Sequence, residues 1–384
     1  MISLSKSVAE VSKKEKIFAS IILHALGDTI GYKNSDWEFG VRGDLASRLQ
    51  EKVDEYVDLG GVNYVPEKGW KYSDDTILNI AVLETLLKEK DNVEKFNDIF
   101  VKKLLLINEK EFKDVRERRP GISTLKSIDT LKTGVNWRNI AYDKYSGGSG
   151  VSMRSIPFGL VFNNISNEEV LDKLIQFSIE SGKVTHNNPT GYLGGFVSAY
   201  FAALAFQRVD IKKWPFMLMD IVNKTNDDGS RNKDFIKKYI FKTRGMKEYE
   251  TQQVIFFSKW DKYIKDKFDK NKNIIQRKSD KNLVCRSKYY YDSFGFKENM
   301  FIGGSGDDSV IIAYDSLLDS AGKWEKLVFY SMLHSGDTDT TGCIAAGLYG
   351  AYYGFGDVPK HLLKNIENYD KLKIAAEKLL SIIH

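Results

Sequence analysis

Long apolar segments with helical spacing dominate this sequence of 384 residues. Ile17, Ile21 and Ala25 recur every four residues, and apolar residues across 78–86 repeat the same spacing. These segments are too long for strands, and the six prolines punctuate them without interrupting them. The pattern predicts an all-α fold with prolines at helix boundaries.

Two of the helical segments carry faces of small residues. Glycine or alanine recurs every fourth residue in each: Gly191, Gly195 and Ala199 in one, and Gly342, Ala346 and Gly350 in the other. A glycine inside a helix costs about 0.5–1 kcal/mol relative to alanine, so such faces need a packing or site-building reason. We expect close approach of neighbouring helices, and therefore a compact, tightly packed bundle.

The chain has no internal repeat and no linker rich in Pro, Gly or Ser, which predicts a single domain over residues 1–384. We interpret residues 1–14 as an N-terminal extension. The window 259–288 holds eleven Lys and Arg against four Asp, whereas the whole chain has a formal net charge of only +5. Because its acidic residues are interleaved with the basic ones, we interpret this window as a solvated surface insertion and expect no nucleic-acid partner.

Cysteine content and hydropathy indicate the compartment. Cys285 and Cys343 are too few for a disulfide framework or a four-cysteine zinc site, so a reducing, cytoplasmic setting is expected. Residues 1–16 lack the continuous apolar core of a secretory signal. The uncharged run 340–356 is shorter than the roughly 20 apolar residues that span a bilayer. We expect a buried helix there and no membrane association.

Two short segments, 73–76 and 336–341, place carboxylates and hydroxyls directly before strongly helical stretches. Helix capping explains either one alone, because Ser, Thr and Asp are preferred N-caps and acidic groups in a first turn gain about 0.3–1 kcal/mol. Together they offer only hard oxygen ligands, which suit Mg²⁺ or Mn²⁺ rather than zinc. Converging carboxylates would repel one another without a cation, so the pair predicts a metal site.

The ordered set of motifs resembles the ADP-ribosylglycohydrolases, also called ADP-ribosyl-acceptor hydrolases, and especially their arginine-directed branch. The resemblance covers roughly residues 15–380. It is carried by GDTIGY at 27–32, WEF at 37–39, SDDT at 73–76, GGSG at 147–150 followed by Met153-Arg154, ESG at 180–182, TH at 185–186, PTG at 189–191, IAYD at 312–315 and GDTDT at 336–340.

The resemblance implies an all-α cleft with two Mg²⁺ ions, or Mn²⁺ in their place. It implies six metal ligands: Ser73, Asp74, Asp75, Asp337, Asp339 and Thr340. Asp339 would bridge the ions. The implied reaction cleaves the N-glycosidic bond between ADP-ribose and arginine on mono-ADP-ribosylated proteins, which reverses the modification. The candidates for proton transfer are Asp74, Asp75 and Glu38, the last on a mobile loop near the entrance, with a solvated surface carboxylate as its alternative.

Binding of ADP-ribose is assigned mainly to glycine-rich backbone, which lets main-chain N–H groups approach a pyrophosphate without clashes from Cβ atoms. The loop 147–150 fits that need, and 303–306 is expected on the adenosine side. Ordinary turns and a structural histidine are the alternatives for the other positions. The expected binding residues are Gly121, Ser123, Gly147, Gly148, Ser149, Gly150, Met153, His186, Gly303, Gly304, Ser305 and Gly306.

Asp28 follows Gly27 inside an apolar helix, where an unpaired carboxylate would be costly, so we expect it to have a partner. It either orients a metal ligand through a hydrogen bond or joins two helices. His24 and His334 lie on apolar helical faces and are expected in the core or beside the site.

Two other functions stay open. One is a hydrolase of the same fold that acts on a serine-linked or bacterial-type ADP-ribosyl bond, and the other is a non-catalytic relative that only binds ADP-ribose. The WEF segment at 37–39 and the long region 214–297 favour the arginine branch, and the intact aspartates favour an enzyme. The expected partners are ADP-ribose and arginine-modified proteins, and a monomer is expected.

Overall fold

The computed structural model describes residues 11–39, 44–223, 235–295 and 302–383. These residues form helices joined by short 3-10 turns and loops, and within them β structure is limited to two isolated bridges. The predicted all-α fold is confirmed. The α-helices are α1 (Lys13–Tyr32), α2 (Leu45–Asp58), α3 (Asp74–Leu86), α4 (Val93–Lys110), α5 (Val115–Arg118), α6 (Ile122–Lys132), α7 (Ile156–Val161), α8 (Glu168–Lys183), α9 (Pro189–Phe206), α10 (Trp214–Asn223), α11 (Phe235–Lys242), α12 (Met246–Lys267), α13 (Leu283–Phe294), α14 (Asp308–Ser320), α15 (Trp324–Met332), α16 (Thr338–Tyr353) and α17 (Tyr369–Ile382).

Helix boundaries follow the local sequence signals. Ser12 caps α1 because its hydroxyl accepts a hydrogen bond from the Glu15 N–H at 3.1 Å. Residues 1–10 of the expected N-terminal extension lie outside the described residues, and 13–14 already belong to α1. Pro189 begins α9, where a missing N–H costs nothing.

Helices α1 and α16 pack backbone to backbone at the centre of the fold. A Cβ atom at Gly27 would lie 2.4 Å from the Gly342 carbonyl oxygen, and one at Gly31 would lie 2.1 Å from the Thr338 carbonyl oxygen. Only glycine therefore permits this approach. The small-residue face predicted on α16 is confirmed, and the contact brings the carboxyl-terminal half of α1 against the first turn of α16.

The second small-residue face, on α9, contacts a helix and also loops. A Cβ at Gly159 of α7 would lie 2.0 Å from the Ala199 carbonyl oxygen, which is the expected approach between helices. A Cβ at Gly194 would instead lie 2.2 Å from the carbonyl oxygen of Gly306, and one at Gly191 would lie 2.8 Å from that of Ser146. The glycines of α9 thus let two glycine-rich loops lie on the helix.

The basic window 259–288 is more deeply buried than a solvated insertion would be. Trp260 and Tyr263 of α12 are fully buried, and Lys267 and Arg286 are only 1–2% exposed. The interpretation as a solvated surface insertion is wrong for these residues. Carboxylates on α14, outside the window, neutralise the charges of Lys267 and Arg286.

The uncharged run 340–356 behaves as expected, since α16 is buried from its first residue through Ala351. Among the helices of the described residues, none is both long enough and apolar enough to cross a membrane.

Candidate metal centre and substrate cleft

The 73–76 segment forms the N-terminus of α3. The Ser73 hydroxyl caps the helix by accepting a hydrogen bond from the Asp75 N–H at 3.1 Å, and Asp74 and Asp75 fill the buried first turn. Capping and convergence of carboxylates are therefore compatible, because the cap sets the direction of the two aspartates.

Asp28 of α1 holds this turn in place. Its Oδ1 accepts a hydrogen bond from the Ser73 N–H at 2.8 Å, and its Oδ2 accepts from the Thr76 N–H at 2.9 Å and the Thr76 hydroxyl at 2.6 Å. Burial, and then the charge of Asp339, raise the pKa of Asp28 to about 7. Asp28 thus has the partner that its buried position requires, and this partner is the turn carrying the first motif.

The second motif forms the N-terminus of α16. The Thr340 N–H donates to Asp337 Oδ1 at 3.3 Å and to Asp339 Oδ1 at 2.9 Å. His334 lies just upstream, where its Nδ1 accepts a hydrogen bond from the Gly336 N–H at 3.0 Å. The turn that presents both aspartates is therefore fixed by its own backbone.

The two motifs and Glu38 meet in space. One carboxylate oxygen each from Glu38, Asp337 and Asp339 lie within 4.8 Å of one another. Burial, followed by the charge of Asp339, raises the pKa of Asp74 and Asp75 well above the ordinary range. We call the combined group the open acidic cluster, which consists of Asp28, Glu38, Asp74, Asp75, Asp337 and Asp339.

Within the part of the chain that the structure describes, this cluster has no salt-bridged cation. Among the described residues, no lysine or arginine forms a salt bridge with any of the six carboxylates. Glu38 Oε2 and Asp74 Oδ2 are buried with no hydrogen-bond partner. Buried carboxylates without compensation are costly, and an all-oxygen donor set suits a hard divalent cation. The cluster could therefore bind metal ions.

Two glycine-rich loops pair with each other beside the cluster. The Ser149 N–H donates to the Gly304 carbonyl at 3.0 Å, and the Gly306 N–H donates to the Gly147 carbonyl at 2.9 Å. The Ser149 hydroxyl also donates to Asp337 Oδ2 at 3.3 Å. The segments 147–150 and 303–306 thus form one surface that adjoins the second metal motif.

Aspartates just after the second glycine loop support it, which the sequence analysis did not anticipate. Asp308 accepts hydrogen bonds at 3.0 Å from the N–H groups of both Gly303 and Ser305, and Asp307 pairs with Lys259 at 2.7 Å. The available signal was Asp at the start of a helix, which commonly accepts from nearby backbone N–H groups.

His186 packs beneath the first glycine loop. Thr185 Oγ1 accepts a hydrogen bond from Arg154 at 2.8 Å and lies 2.8 Å from His186 Nδ1. Burial, and then the charge of Arg154, lower the pKa of His186 to about 3, so the ring is neutral. A Cβ at Gly150 would lie 2.6 Å from this ring, which explains the glycine there.

The remaining predicted binding residues occupy different settings. Gly121 is the N-cap residue of α6, its backbone N–H lowers the pKa of Asp74, and Ser123 lies half-buried in the first turn of that helix. Met153 is buried, and its carbonyl oxygen lies 2.7 Å from Nε2 of His24. Gly121 thus acts on the cluster through its backbone N–H, whereas Met153 accepts a hydrogen bond through its backbone carbonyl.

A second group of carboxylates has metal-like spacing but a different environment. Oxygens of Asp280, Asp315 and Asp319 lie within 4.8 Å of one another. We call this group, with its three cations, the paired cluster: Asp280, Asp315, Asp319, Lys267, Arg277 and Arg286. Arg277 lies 2.7 Å from both Asp280 and Asp315, and Lys267 lies 2.7 Å from Asp319. Three cations already neutralise three carboxylates, so no metal is required.

Comparison with known proteins identifies the family of the chain. The sequence model of the ADP-ribosylglycohydrolase family matches residues 9–384, and the chain belongs to that family. ADP-ribosylhydrolase ARH1 of Dictyostelium discoideum is 34% identical over 397 residues, covering 96% of this chain and 93% of the relative. ADP-ribosylhydrolase ARH3 of Danio rerio is 22% identical over 409 residues, covering 100% of this chain and 94% of the relative.

The fold has a counterpart among solved structures. A chain of an ADP-ribosylglycohydrolase-related protein complex aligns with a TM-score of 0.56 at 16% sequence identity, covering 97% of this chain and 99% of that chain. Family membership and the named relatives support hydrolysis of an ADP-ribosyl bond by this protein.

Proposed function

We propose that this protein is a magnesium-dependent hydrolase that removes ADP-ribose from arginine side chains of mono-ADP-ribosylated proteins. The observation that carries the proposal is the open acidic cluster, whose buried carboxylates form no salt bridge among the described residues and lie beside the paired glycine loops. Converging buried carboxylates repel one another, and bound divalent cations would remove this repulsion and supply the chemistry of metal-assisted hydrolysis.

The ions would be held by oxygens of both motifs: Ser73, Asp74, Asp75, Asp337, Asp339 and Thr340. Two bound Mg²⁺ ions, or Mn²⁺, would fix sugar hydroxyls and lower the pKa of a water molecule. The chain contributes the orientation, since Asp28 holds the Ser73–Thr76 turn and the Thr340 N–H holds Asp337 and Asp339.

Glycoside cleavage also needs carboxylates that move protons, and we assign this role to Asp74 or Asp75, with Glu38 as the third candidate. The pKa of Glu38 lies well above the ordinary range because of burial and the neighbouring charges of Asp339 and Asp74. Its Oε2 has no partner, so it can accept a hydrogen bond from the N–H of an arginine guanidinium. A cationic leaving group fits an acidic cleft better than the neutral oxygen of a serine linkage does.

The glycine surface would bind the rest of ADP-ribose. Because the N–H groups of Ser149 and Gly306 are already donated between the loops, the amides of Gly148 and Gly150 are the better candidates for the pyrophosphate. The neutral His186 ring, whose Nε2 is directed at this loop, supports it from below. The proposed contact set is Gly121, Ser123, Gly147, Gly148, Ser149, Gly150, Met153, His186, Gly303, Gly304, Ser305 and Gly306.

The expected setting of this reaction is a cytoplasmic monomer acting on modified proteins. Both cysteines are unpaired, which suits a reducing compartment. Lys267, Arg277 and Arg286 are taken up by ion pairs and so do not contribute to a basic surface for nucleic acid.

The decisive assay compares arginine-linked and serine-linked ADP-ribosyl substrates, each with magnesium or with a chelator. We expect release from the arginine linkage only, abolished by the chelator and by Asp339→Ala. Release from both substrates at equal rates would favour a hydrolase of broader linkage specificity. Binding of ADP-ribose without release from either would favour a non-catalytic relative.

A further inference from the structure

Lys52 of α2 is a buried cation that binds backbone carbonyls. Its ammonium group donates to the Trp37 carbonyl at 2.7 Å and to the His334 carbonyl at 2.8 Å. Among the described residues, no carboxylate lies within salt-bridge distance of it. Burying an ammonium group without a salt-bridge partner is unfavourable, so the position of Lys52 between these two segments needs an explanation.

Those segments are the ones that meet at the open acidic cluster. Trp37 immediately precedes Glu38, and His334 begins the turn that leads to Asp337. A backbone hydrogen bond from the Phe39 N–H to the Gly336 carbonyl, at 3.1 Å, joins the same two segments. Glu38 is therefore bracketed by two attachments to the turn that presents the second metal motif.

The segment carrying Glu38 has an unfavourable backbone. Four of its non-glycine residues have φ angles in the left-handed region: Lys33 at 40°, Asn34 at 52°, Ser35 at 78° and Phe39 at 50°. Such residues are strained and keep this conformation only where surrounding contacts hold them. Segment 33–39 thus needs an external support.

Helix α2 supplies that support from two side chains one turn apart. Besides Lys52, Glu55 accepts a hydrogen bond from the Trp37 indole N–H at 2.7 Å and pairs with the Lys33 ammonium group. Trp37 itself is buried and packs edge-on against Trp70, with ring centroids 5.9 Å apart. Of these two α2 side chains, Lys52 is the one that also contacts the 334–337 turn.

We propose that Lys52 is a positioning residue for the Glu38 carboxylate. Its ammonium group fastens the strained segment 33–39 to the 334–337 turn, and so keeps Glu38 beside Asp337 and Asp339. The proposal rests on the proposed function only where it assigns Glu38 a part in the reaction. The fastening itself is a property of the folded chain.

The first test is a double-mutant cycle on arginine-linked substrate. Lys52→Met should lower kcat roughly 10–100-fold with KM unchanged, the range typical of residues that orient functional groups. In a Glu38→Gln background the same substitution should lower kcat no further, because Lys52 acts through Glu38. Additive losses in the double variant would overturn the proposal.

The second test uses hydrogen exchange of the full-length, metal-free protein and needs no activity. Lys52→Met should speed amide exchange in peptides covering 33–39, whereas Lys267→Met, which removes a buried lysine from the paired cluster, should leave them unchanged. Should Lys52→Met not fold, Glu55→Leu removes the half-exposed acceptor of the Trp37 indole and should speed the same peptides to a smaller degree. Wild-type exchange at 33–39 in every folded variant of Lys52 and Glu55 would contradict the fastening.

The two proposals fail separately. If the wild-type protein does not hydrolyse the arginine linkage but Lys52→Met loosens 33–39, the proposed function is wrong and the fastening stands. If the wild-type protein is active and Lys52→Met equals it in kcat and in exchange, the positioning role is wrong and the proposed function stands.

Discussion

The open acidic cluster and the paired cluster share a close spacing of three carboxylates and differ in electrostatics. Each brings three carboxylate oxygens within 4.8 Å of one another. In the paired cluster, burial would raise the pKa of Asp315, but Arg286, Arg277 and Lys267 outweigh it and hold the pKa below its ordinary range. In the open acidic cluster, burial and neighbouring carboxylates together raise the pKa of Asp337 well above it.

This contrast separates structural from functional acids. The paired cluster is complete within the chain and joins α12, α13 and α14, with the hydroxyl groups of Tyr263 and Tyr290 also bonded to Asp315. The open acidic cluster has no salt-bridged cation among the described residues. Spacing of carboxylates alone therefore does not identify a metal site, whereas spacing with missing compensation marks a candidate.

The largest expected difference concerns activity. Asp339→Asn should lower hydrolysis by more than about 100-fold, beyond the range of residues that only support metal ligands. Asp315→Asn, the same chemical change in the paired cluster, should leave kcat of the folded protein near the wild-type value. Steady-state kinetics of both variants on arginine-linked substrate checks this, and equal losses would remove the distinction between the clusters.

For the stability of the metal-free protein, Asp315→Asn should have a larger effect than Asp339→Asn. Asp315→Asn should lower the free energy of unfolding by about 3–5 kcal/mol, because it leaves buried Arg286 and Arg277 short of a counter-charge. Asp339→Asn should not lower it, since it removes one of several repelling carboxylates. Urea unfolding with chelator measures both, and Asp261→Asn, at an exposed position of α12, is the control. Destabilisation by Asp339→Asn as large as by Asp315→Asn would contradict this account.

Magnesium should stabilise the protein through one cluster only. At about 100 times the dissociation constant, an ion that binds only the folded state adds about 2.7 kcal/mol. We expect a shift of this size in the wild type and in Asp315→Asn, and none in Asp339→Asn. Thermal unfolding with and without Mg²⁺ reports it, and a retained shift in Asp339→Asn would locate the ion elsewhere.

The smallest expected effect is the pH dependence of the metal-free protein. The pKa of Asp28 is raised from 3.8 to about 7, so the folded state binds a proton that the unfolded state releases above 3.8. Stability from this group is full below the unfolded pKa and is lost as the pH rises through about 7. The midpoint of unfolding, measured with chelator, should therefore decrease as the pH rises from about 5 to about 7. Added Mg²⁺ should offset this decrease because metal displaces protons. An unfolding midpoint that increases with pH over this range would contradict the prediction.

Much of the fold was accessible from the sequence because it depends on local patterns. Period-four small residues predicted the close packing around α16, and Ser or Asp before apolar runs predicted the N-termini that carry both motifs. The partner required for Asp28 also followed from the cost of burying a lone carboxylate.

The missed features depend on residues distant in the chain. The pairing of loops 147–150 and 303–306 leaves no periodic signal, since glycine-rich loops look alike whether solvated or paired. The basic window was misjudged because the carboxylates that neutralise Lys267 and Arg286 lie on α14, outside the window. The part played by Lys52 required knowing which carbonyls its ammonium group reaches.

The most direct test of the central claim is a crystal structure of the protein grown with Mn²⁺, with anomalous scattering used to locate the ions. The account predicts two peaks among Asp74, Asp75, Asp337 and Asp339, and none among Asp280, Asp315 and Asp319. Ions in the paired cluster, or an open acidic cluster whose carboxylates remain metal-free at saturating Mn²⁺, would contradict it.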